Sequence, residues 1–140
     1  ETFVTRKITL AAAKIKLGIQ DKLYLGNLDA LRDWGFAGDY VKAMHSMMQF
    51  EKPDDYVIAT GKSHTVKEWL HKVFDIAELS VEKHVEQDER LFRPHEVPHL
   101  LGDATKAKDV LGWVPETDFE ALAKLMYEED FNFVKRNFLD

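Results

Sequence analysis

Arg32 stands in the stretch of the chain whose residue types best suit the binding of a ligand. A strand-like run ending at Asn27 precedes it, and a predicted helix with Asp39 as its expected N-cap follows. The planar guanidinium of arginine keeps its charge and offers a fork of donors that fits the oxygens of a phosphate or a carboxylate. The stretch therefore suggests an anion site at Arg32. The alternative is that Arg32 and Asp33 are ordinary surface charges and that Trp34 is a core residue.

Three further residues extend this to a possible nucleotide-binding set. Lys7 falls in the first turn of a predicted helix, where the helix dipole disfavours a cation. Arg93 and Glu96 lie in a segment that Pro94 and Pro98 keep out of regular helix. Cations suit phosphates, a carboxylate suits ribose hydroxyls and a lysine can reach a base carbonyl, so the set fits a nucleoside diphosphate. The alternative for Lys7 is a solvated lysine.

Catalytic and metal-binding motifs are not found in the sequence. His95 and His99 have the spacing of the zinc-protease motif, but Pro98 interrupts the helical turn that the motif requires. None of the seven glycines forms a dinucleotide fingerprint or a P-loop, and none of the four tyrosines has a lysine four residues later. The chain has no cysteine and no Gly-x-Ser-x-Gly elbow. We therefore predict a binding set without catalytic residues and without a metal site.

The composition indicates a single globular domain. The chain has 140 residues, of which 45% are hydrophobic and 31% charged, which allows a real core. Its formal net charge of −6 disfavours binding to nucleic acid or anionic membranes, so any bound anion must be held by a local basic group. The sequence has no membrane span and no recognisable leader, and the lack of cysteine suits a cytoplasmic location.

Most of the chain is predicted to be helical. The first helix spans residues 5–17, with Thr2 or Thr5 as its N-cap and Gly18 as its end. Apolar residues recur at helical spacing in four more segments, at about 39–50, 66–74, 105–111 and from 119 onward.

Side-chain patterns add detail to three of these helices. Capping-box spacing is found in the segments 65–68 and 117–120. The buried stripe expected behind the first box is Val66, Trp69, Leu70, Val73 and Phe74. The residues expected to fill the core from the helix after Asp39 are Val41, Met44, Met47 and Met48. The stripe expected in the last helix is Phe119, Leu122, Met126 and Phe133.

The predicted strands are short and scattered. One is expected at Lys22–Leu25 and a second, buried strand at Tyr56–Thr60, while the acidic segment 81–89 has room for one more. The sequence shows neither an internal repeat nor a regular βαβ alternation. It therefore indicates a mostly helical α+β piece rather than a complete doubly wound domain.

A series of motifs runs through nearly the whole chain in order. They are Glu1–Thr9, Leu25–Gly35 with its Arg32-Asp33-Trp34-Gly35, Asp39–Val41, Val57–Gly61, Arg93-Pro94-x-Glu96-Val97, Leu101–Ala107 and Leu111-Gly112-Trp113-x-Pro115. Together they resemble the C-terminal part of the GDP-mannose 4,6-dehydratase family, which belongs to the extended short-chain dehydrogenases/reductases.

The resemblance implies an α/β parent enzyme with two domains. Its N-terminal Rossmann domain would bind NADP, and residues 1–140 would form the smaller, mostly helical domain that grips GDP-mannose. The parent would be a lyase of GDP-fucose biosynthesis that makes GDP-4-keto-6-deoxymannose. The reaction removes a hydride at C4, eliminates water across C5 and C6, and returns the hydride to C6.

The resemblance also implies a role for each candidate residue. Lys7 and Val4 would contact the guanine side, Asn27 and Arg32 the diphosphate, and Arg93 with Glu96 the phosphate and the ribose. The family's glycine fingerprint, acid-base residues and Tyr-x-x-x-Lys pair would all lie upstream of Glu1. The chain alone is therefore expected to bind GDP or GDP-mannose but not NADP.

Expected partners are the missing Rossmann domain and, in the parent, further copies of the same protein. Two alternatives stay open: part of a related nucleotide-sugar epimerase or reductase, and a non-catalytic interaction domain.

Overall fold

The computed structural model describes residues 3–138. In this range the chain forms helices and short strands in the order α1 (Val4–Lys16), β1 (Leu23–Leu25), β2 (Leu31–Arg32), α2 (Ala37–Met48), β3 (His64–Thr65), α3 (Val66–Ile76), α4 (Val81–His84), β4 (Val85–Gln87), a 3-10 turn (Glu89–Leu91), α5 (Thr105–Leu111) and α6 (Phe119–Phe138). The predicted class, a mostly helical α+β piece with a few short strands, is confirmed.

The chain divides into two compact units. The first contains the residues up to Ala30, Thr65–Pro98 and the residues from Ala123 onward, and the second contains Leu31–His64 and His99–Leu122. Each unit is therefore assembled from separate stretches of the sequence.

In the first unit, α1 packs against α3. Ile8 of α1 and the predicted stripe of α3 are fully or almost fully buried, and the Trp69 indole N–H donates to the carbonyl oxygen of Thr5 at 3.2 Å. This confirms the apolar stripe as the core face of α3. Gly18, with φ of 72°, follows α1 in the left-handed conformation expected of a residue that ends a helix.

The helix starts of this unit show one correct and one wrong prediction. Thr65 Oγ1 accepts the Glu68 N–H at 3.0 Å and Glu68 Oε2 accepts the Thr65 N–H at 2.6 Å, which confirms the capping box of α3. The N-cap of α1 is Phe3, which has no side-chain capping bond. Thr5 lies inside α1, so it does not cap it, and Thr2 lies outside the described residues.

Strand β1 pairs in parallel with β4. Leu23 is opposite Val85 and Leu25 is opposite Gln87, and the Asp88 N–H continues the ladder by donating to the Leu25 carbonyl oxygen at 2.8 Å. Leu23 and Leu25 are buried while Tyr24 between them is exposed. Because the strands are parallel, their carboxyl ends lie at the same edge.

In the second unit, α2 packs against α5 around a small core. Ala43, Ala107 and Trp113 are buried, and Tyr40 contacts Trp113 edge-on. Helix α5 has the predicted bounds and ends at Gly112, whose φ is 66°.

Two predictions about α2 are wrong. The N-cap is Phe36, three residues before the expected Asp39, which places Asp39 in the first turn rather than at the cap. Val41, Met44 and Met48 are exposed and do not fill the core; of the predicted set only Met47 packs against it. The buried side of α2 is the one that carries Ala43, which belongs to the core cluster with Ala107 and Trp113.

The prediction of a strand at Tyr56–Thr60 is also wrong. The segment forms no ladder, and only Ala59 is buried while Val57 is exposed. The segment is nevertheless fixed at its end, because the Thr60 N–H donates to the carboxylate of Asp33 at 3.0 Å. A side chain replaces the neighbouring strand that the pattern of β-branched residues had suggested.

The last helix is predicted correctly in position but not in its buried face. Asp118 Oδ1 accepts the Ala121 N–H at 2.8 Å, so Asp118 provides the capping bond that was expected from Thr117. Phe133 is 40% exposed, contrary to prediction, although Leu122 is buried. The buried side also includes Ala123, Tyr127, Asp130 and Val134.

Candidate nucleotide-binding site

Lys7 lies beside the carboxyl end of β1. Its ammonium group donates to the carbonyl oxygen of Tyr24 at 2.7 Å, which fixes the side chain across the end of the strand. Val4, one helical turn earlier in α1, is partly buried. This exposed hydrogen bond anchors Lys7 to the strand.

Asn27 and Arg93 belong to two segments of the first unit that meet closely. A Cβ added to Gly26 would lie 2.5 Å from the carbonyl oxygen of Leu91, so only glycine allows this approach. Asn27 Oδ1 accepts the Asp29 N–H at 2.9 Å and shapes the turn after Gly26. The unit thus brings the end of β1 to the segment that carries Arg93.

The segment after the 3-10 turn is irregular, as predicted. Arg93 is exposed and Glu96 is partly buried. The same irregular backbone removes the helix that a zinc-protease motif would need between His95 and His99. Among residues 3–138 no group of three or more histidine, aspartate or glutamate side chains is placed to hold a metal ion.

Arg32 lies in the second unit, at the end of β2. Its guanidinium Nη1 donates to the carbonyl oxygen of Leu31 at 2.7 Å, and that oxygen also accepts the Leu100 N–H at 3.0 Å. Arg32 is partly buried. Its backbone is thus tied to the segment that begins at His99, which bridges Leu31 in parallel.

Asp33 makes the densest set of hydrogen bonds in this region. Oδ1 accepts the Thr60 N–H at 3.0 Å and the Thr60 hydroxyl at 2.6 Å, while Oδ2 accepts the N–H groups of Gly61 at 2.9 Å and Gly102 at 3.3 Å. A Cβ at Gly102 would collide with Ala59, so the two segments that Asp33 joins lie in direct contact. Asp33 is not an ordinary surface charge.

Asp39 holds the loop before α6 in the same unit. Its Oδ2 accepts the N–H groups of Glu116 at 3.0 Å and Thr117 at 2.8 Å. Burial raises the pKa of this carboxyl, but the bonds from Thr117 and Glu116 and the nearby Lys42 ammonium outweigh burial and hold the pKa below its ordinary value of 3.8. The carboxylate is therefore ionised whenever the unit is folded near neutral pH.

An open cavity of about 310 Å³ lies beside this loop in the second unit. Trp34 contributes to its wall, and the imidazole of His64 stacks on the ring of Phe119 at 3.8 Å between centroids. Lys62 and several carboxylates of the segment 116–120 also line it. Trp34 is partly buried, so the earlier alternative of a core residue does not fit it.

The sequence-predicted site residues are divided between the units. The first unit contains Lys7, Val4, Asn27, Arg93 and Glu96, and the second contains Arg32. Sequence reasoning did not predict the role of Asp33, whose partners at Thr60 and Gly102 lie 27 and 69 residues away. The sequence features that could have indicated this role are an aspartate directly after Arg32 and the Thr60-Gly61 pair further along the chain.

The fold resembles part of several solved proteins. The structure of RMD from Pseudomonas aeruginosa complexed with NADPH matches 95% of this chain and 44% of that chain, with a TM-score of 0.86 and 22% identity. The dTDP-glucose 4,6-dehydratase of Bacillus anthracis, in complex with NAD, matches 93% and 39%, with a TM-score of 0.73 and 20% identity. The chain therefore shares the fold of part of these two proteins.

Comparison with known sequences identifies the protein family to which the chain belongs. The profile of the GDP-mannose 4,6 dehydratase family matches residues 1–126. GDP-mannose 4,6 dehydratase 1 of Arabidopsis thaliana is 60% identical over 136 residues, which are 97% of this chain and 38% of that protein. The human GDP-mannose 4,6 dehydratase is 43% identical over 152 residues, with 96% and 41% covered. The chain belongs to the GDP-mannose 4,6 dehydratase family and spans less than half the length of these relatives.

Within residues 3–138, no helix combines the length and the hydrophobicity that a membrane-spanning segment needs.

Proposed function

We propose that this chain is the nucleotide-sugar-binding part of a GDP-mannose 4,6-dehydratase. In this proposal a preceding Rossmann domain binds NADP, and the complete protein is a lyase that makes GDP-4-keto-6-deoxymannose. The observation that carries the proposal is the family match over residues 1–126, because this range contains every candidate binding residue.

The geometry supports a binding role for the first unit. Lys7 is anchored at the end of β1, and the close approach of Gly26 and Leu91 brings the Arg93 segment to the same strand end. We assign Lys7 and Val4 to the guanine side and Arg93 with Glu96 to the phosphate and ribose. Asn27 is assigned to the diphosphate region, where its turn would place backbone and amide groups.

Arg32 is the contribution proposed for the second unit. Its guanidinium is permanently charged and matches the oxygens of a diphosphate. Two neighbours, Leu31 and Asp33, fix its backbone through the bonds described above. The proposal therefore places a positioned cation at the diphosphate.

The chemistry of the reaction is assigned to the rest of the protein. In the complete protein NADP would supply the hydride chemistry, and the residues that hold it would belong to the Rossmann domain. The 140-residue sequence has no glycine fingerprint and no Tyr-x-x-x-Lys pair, so its residues do not fit an NADP site of the family's kind. What this chain supplies is binding and orientation of the GDP moiety.

Calorimetric titration of GDP into the 140-residue chain tests the binding role. We expect Arg32→Ala and Arg93→Ala each to weaken binding by about 10- to 100-fold, since hydrogen bonds to charged groups contribute about 1.5–3 kcal/mol. GDP should bind more tightly than UDP or dTDP, because Lys7 is assigned to guanine.

Arg90→Ala is the matched control. Arg90 lies three residues before Arg93, is exposed and pairs with Asp88 at 2.7 Å, so its loss changes the net charge equally. Equal losses in Arg90→Ala and Arg93→Ala, a preference for UDP or dTDP, or no heat with a folded sample would each contradict the proposal.

A further inference from the structure

The Asp33 carboxylate joins three segments of the second unit at the residue next to Arg32. It is the acceptor for four donors from Thr60, Gly61 and Gly102, at distances of 2.6–3.3 Å. Backbone N–H groups bonded to a carboxylate form stronger hydrogen bonds than neutral pairs, so the four bonds define where this residue sits. Arg32 shares a peptide bond with it.

The residue on the other side of Arg32 is held as well. The carbonyl oxygen of Leu31 accepts the Leu100 N–H at 3.0 Å and Arg32 Nη1 at 2.7 Å. The segment 99–102 therefore holds both neighbours of Arg32, through Leu100 on one side and Gly102 on the other. A guanidinium on a backbone fixed at both sides loses less conformational freedom when it binds an anion.

We infer that Asp33 is the positioning residue for Arg32 in the binding of the GDP-mannose diphosphate. This inference rests on the proposed function and adds a specific requirement to it. Asp33 would orient Arg32 and would not contact the substrate itself, because a carboxylate in contact with a diphosphate would repel it.

The arrangement of donors makes asparagine a sharp substitution at this position. The four donors are divided equally between Oδ1 and Oδ2. An amide NH₂ must therefore face a backbone N–H whichever way it is turned: those of Gly61 and Gly102 on one side, or that of Thr60 on the other, where only the Thr60 hydroxyl can turn to accept. Asp39 offers a contrast, because its Oδ2 accepts both backbone N–H groups and an amide oxygen in that place could keep them. Asp39→Asn is therefore the matched control in the same unit.

The experiment uses the full-length dehydratase that contains this chain, assayed with GDP-mannose and titrated with GDP. For Asp33→Asn we expect the KM for GDP-mannose and the Kd for GDP to rise about tenfold while kcat stays within about twofold, the pattern of lost ground-state binding. Asp39→Asn should lower thermal stability and leave KM unchanged. Thr60→Val removes one of the four donors to Asp33, together with the acceptor of the Lys62 N–H, and should raise Kd about threefold. This variant keeps the test open if Asp33→Asn does not fold.

A double-mutant cycle separates positioning from general destabilisation. In the Arg32→Ala background, Asp33→Asn or Thr60→Val should weaken GDP binding no further, because the residue they position is gone. An equal loss in both backgrounds, or an unchanged KM in the single variants, overturns the inference alone. An Arg32→Ala protein with unchanged GDP affinity would overturn the diphosphate role of Arg32 and this inference with it.

Discussion

Asp39 has only 3% of its side chain exposed and accepts two backbone N–H groups from the loop at Glu116 and Thr117. Replacing it with asparagine keeps an oxygen acceptor but removes the charge that strengthens both bonds. We expect Asp39→Asn to lower the free energy of unfolding at neutral pH by about 1–2 kcal/mol, the difference between charged and neutral acceptors. Urea denaturation followed by circular dichroism measures this change.

The pH dependence of this stability has a definite sign. The folded-state pKa of Asp39 lies below its ordinary value of 3.8, so its contribution is present above about pH 4 and is lost as the pH falls through the folded value. The gap between wild type and Asp39→Asn should therefore narrow in acid. Asp109→Asn, at an exposed site of α5, should show little effect at any pH. A gap that widens in acid would contradict this account.

At the scale of single residues, the cap of α3 is predictable from the sequence, whereas partners that are distant along the chain are not. The Thr65 and Glu68 cap depends on atoms within one helical turn, so spacing alone predicted it. The position of Asp39 before a helical pattern predicts a cap. Its partners in the structure are 77 and 78 residues away, and no local pattern indicates them. Arg32 was singled out by its chemistry, whereas the role of Asp33 depends on segments that only the fold brings to it.

At the scale of elements, the start of α3 offers a direct test of the capping box. Thr65→Ala removes the Oγ1 that accepts the Glu68 N–H, and we expect a loss of about 1 kcal/mol in the free energy of unfolding. Lys67→Ala, at an exposed position in the same first turn, should change it by less than about 0.5 kcal/mol. Similar values for the two variants in urea denaturation would show that the cap contributes little.

Helix α2 provides the opposite case, an element found correctly with its faces misassigned. Met44 and Met48 are exposed and Ala43 is fully buried. We expect Met44→Ser and Met48→Ser to change the free energy of unfolding by less than about 0.5 kcal/mol. Ala43→Leu should destabilise the protein by about 1–3 kcal/mol, because it overpacks the buried cluster of Ala43, Ala107 and Trp113. Larger losses at the methionines than at Ala43 would favour the core face predicted from the sequence.

These elements show why periodicity found the helices but not all their contacts. The stripe of α3 was unambiguous because five large apolar residues share one face. In α2 both a methionine side and an alanine side were available, and the side that is buried carries Ala43, in the cluster with Ala107 and Trp113. The segment 56–60 has strand-like residues, but it has no partner strand in the described structure, and the Asp33 carboxylate takes the N–H of Thr60.

At the scale of the whole molecule, the order of segments along the chain constrains how it can unfold. The first unit uses three stretches of sequence and the second uses two, so the chain passes from one unit to the other four times, after Ala30, His64, Pro98 and Leu122. Neither unit can complete its fold from a continuous stretch of sequence. Chain connectivity therefore couples the two units, and we expect one cooperative unfolding transition.

Tryptophan fluorescence can test this prediction unit by unit. Trp69 is fully buried in the first unit and Trp113 is almost fully buried in the second, so a protein with Trp34 and Trp113 changed to phenylalanine reports on the first unit and one with Trp34 and Trp69 changed reports on the second. Substituting a buried tryptophan lowers stability, so the fluorescence midpoint of each protein is compared with its own far-ultraviolet circular dichroism midpoint in urea. Coincident midpoints in both proteins are expected. A fluorescence transition that separates from the circular dichroism transition in either protein would show that one unit unfolds independently, despite the four crossings of the chain.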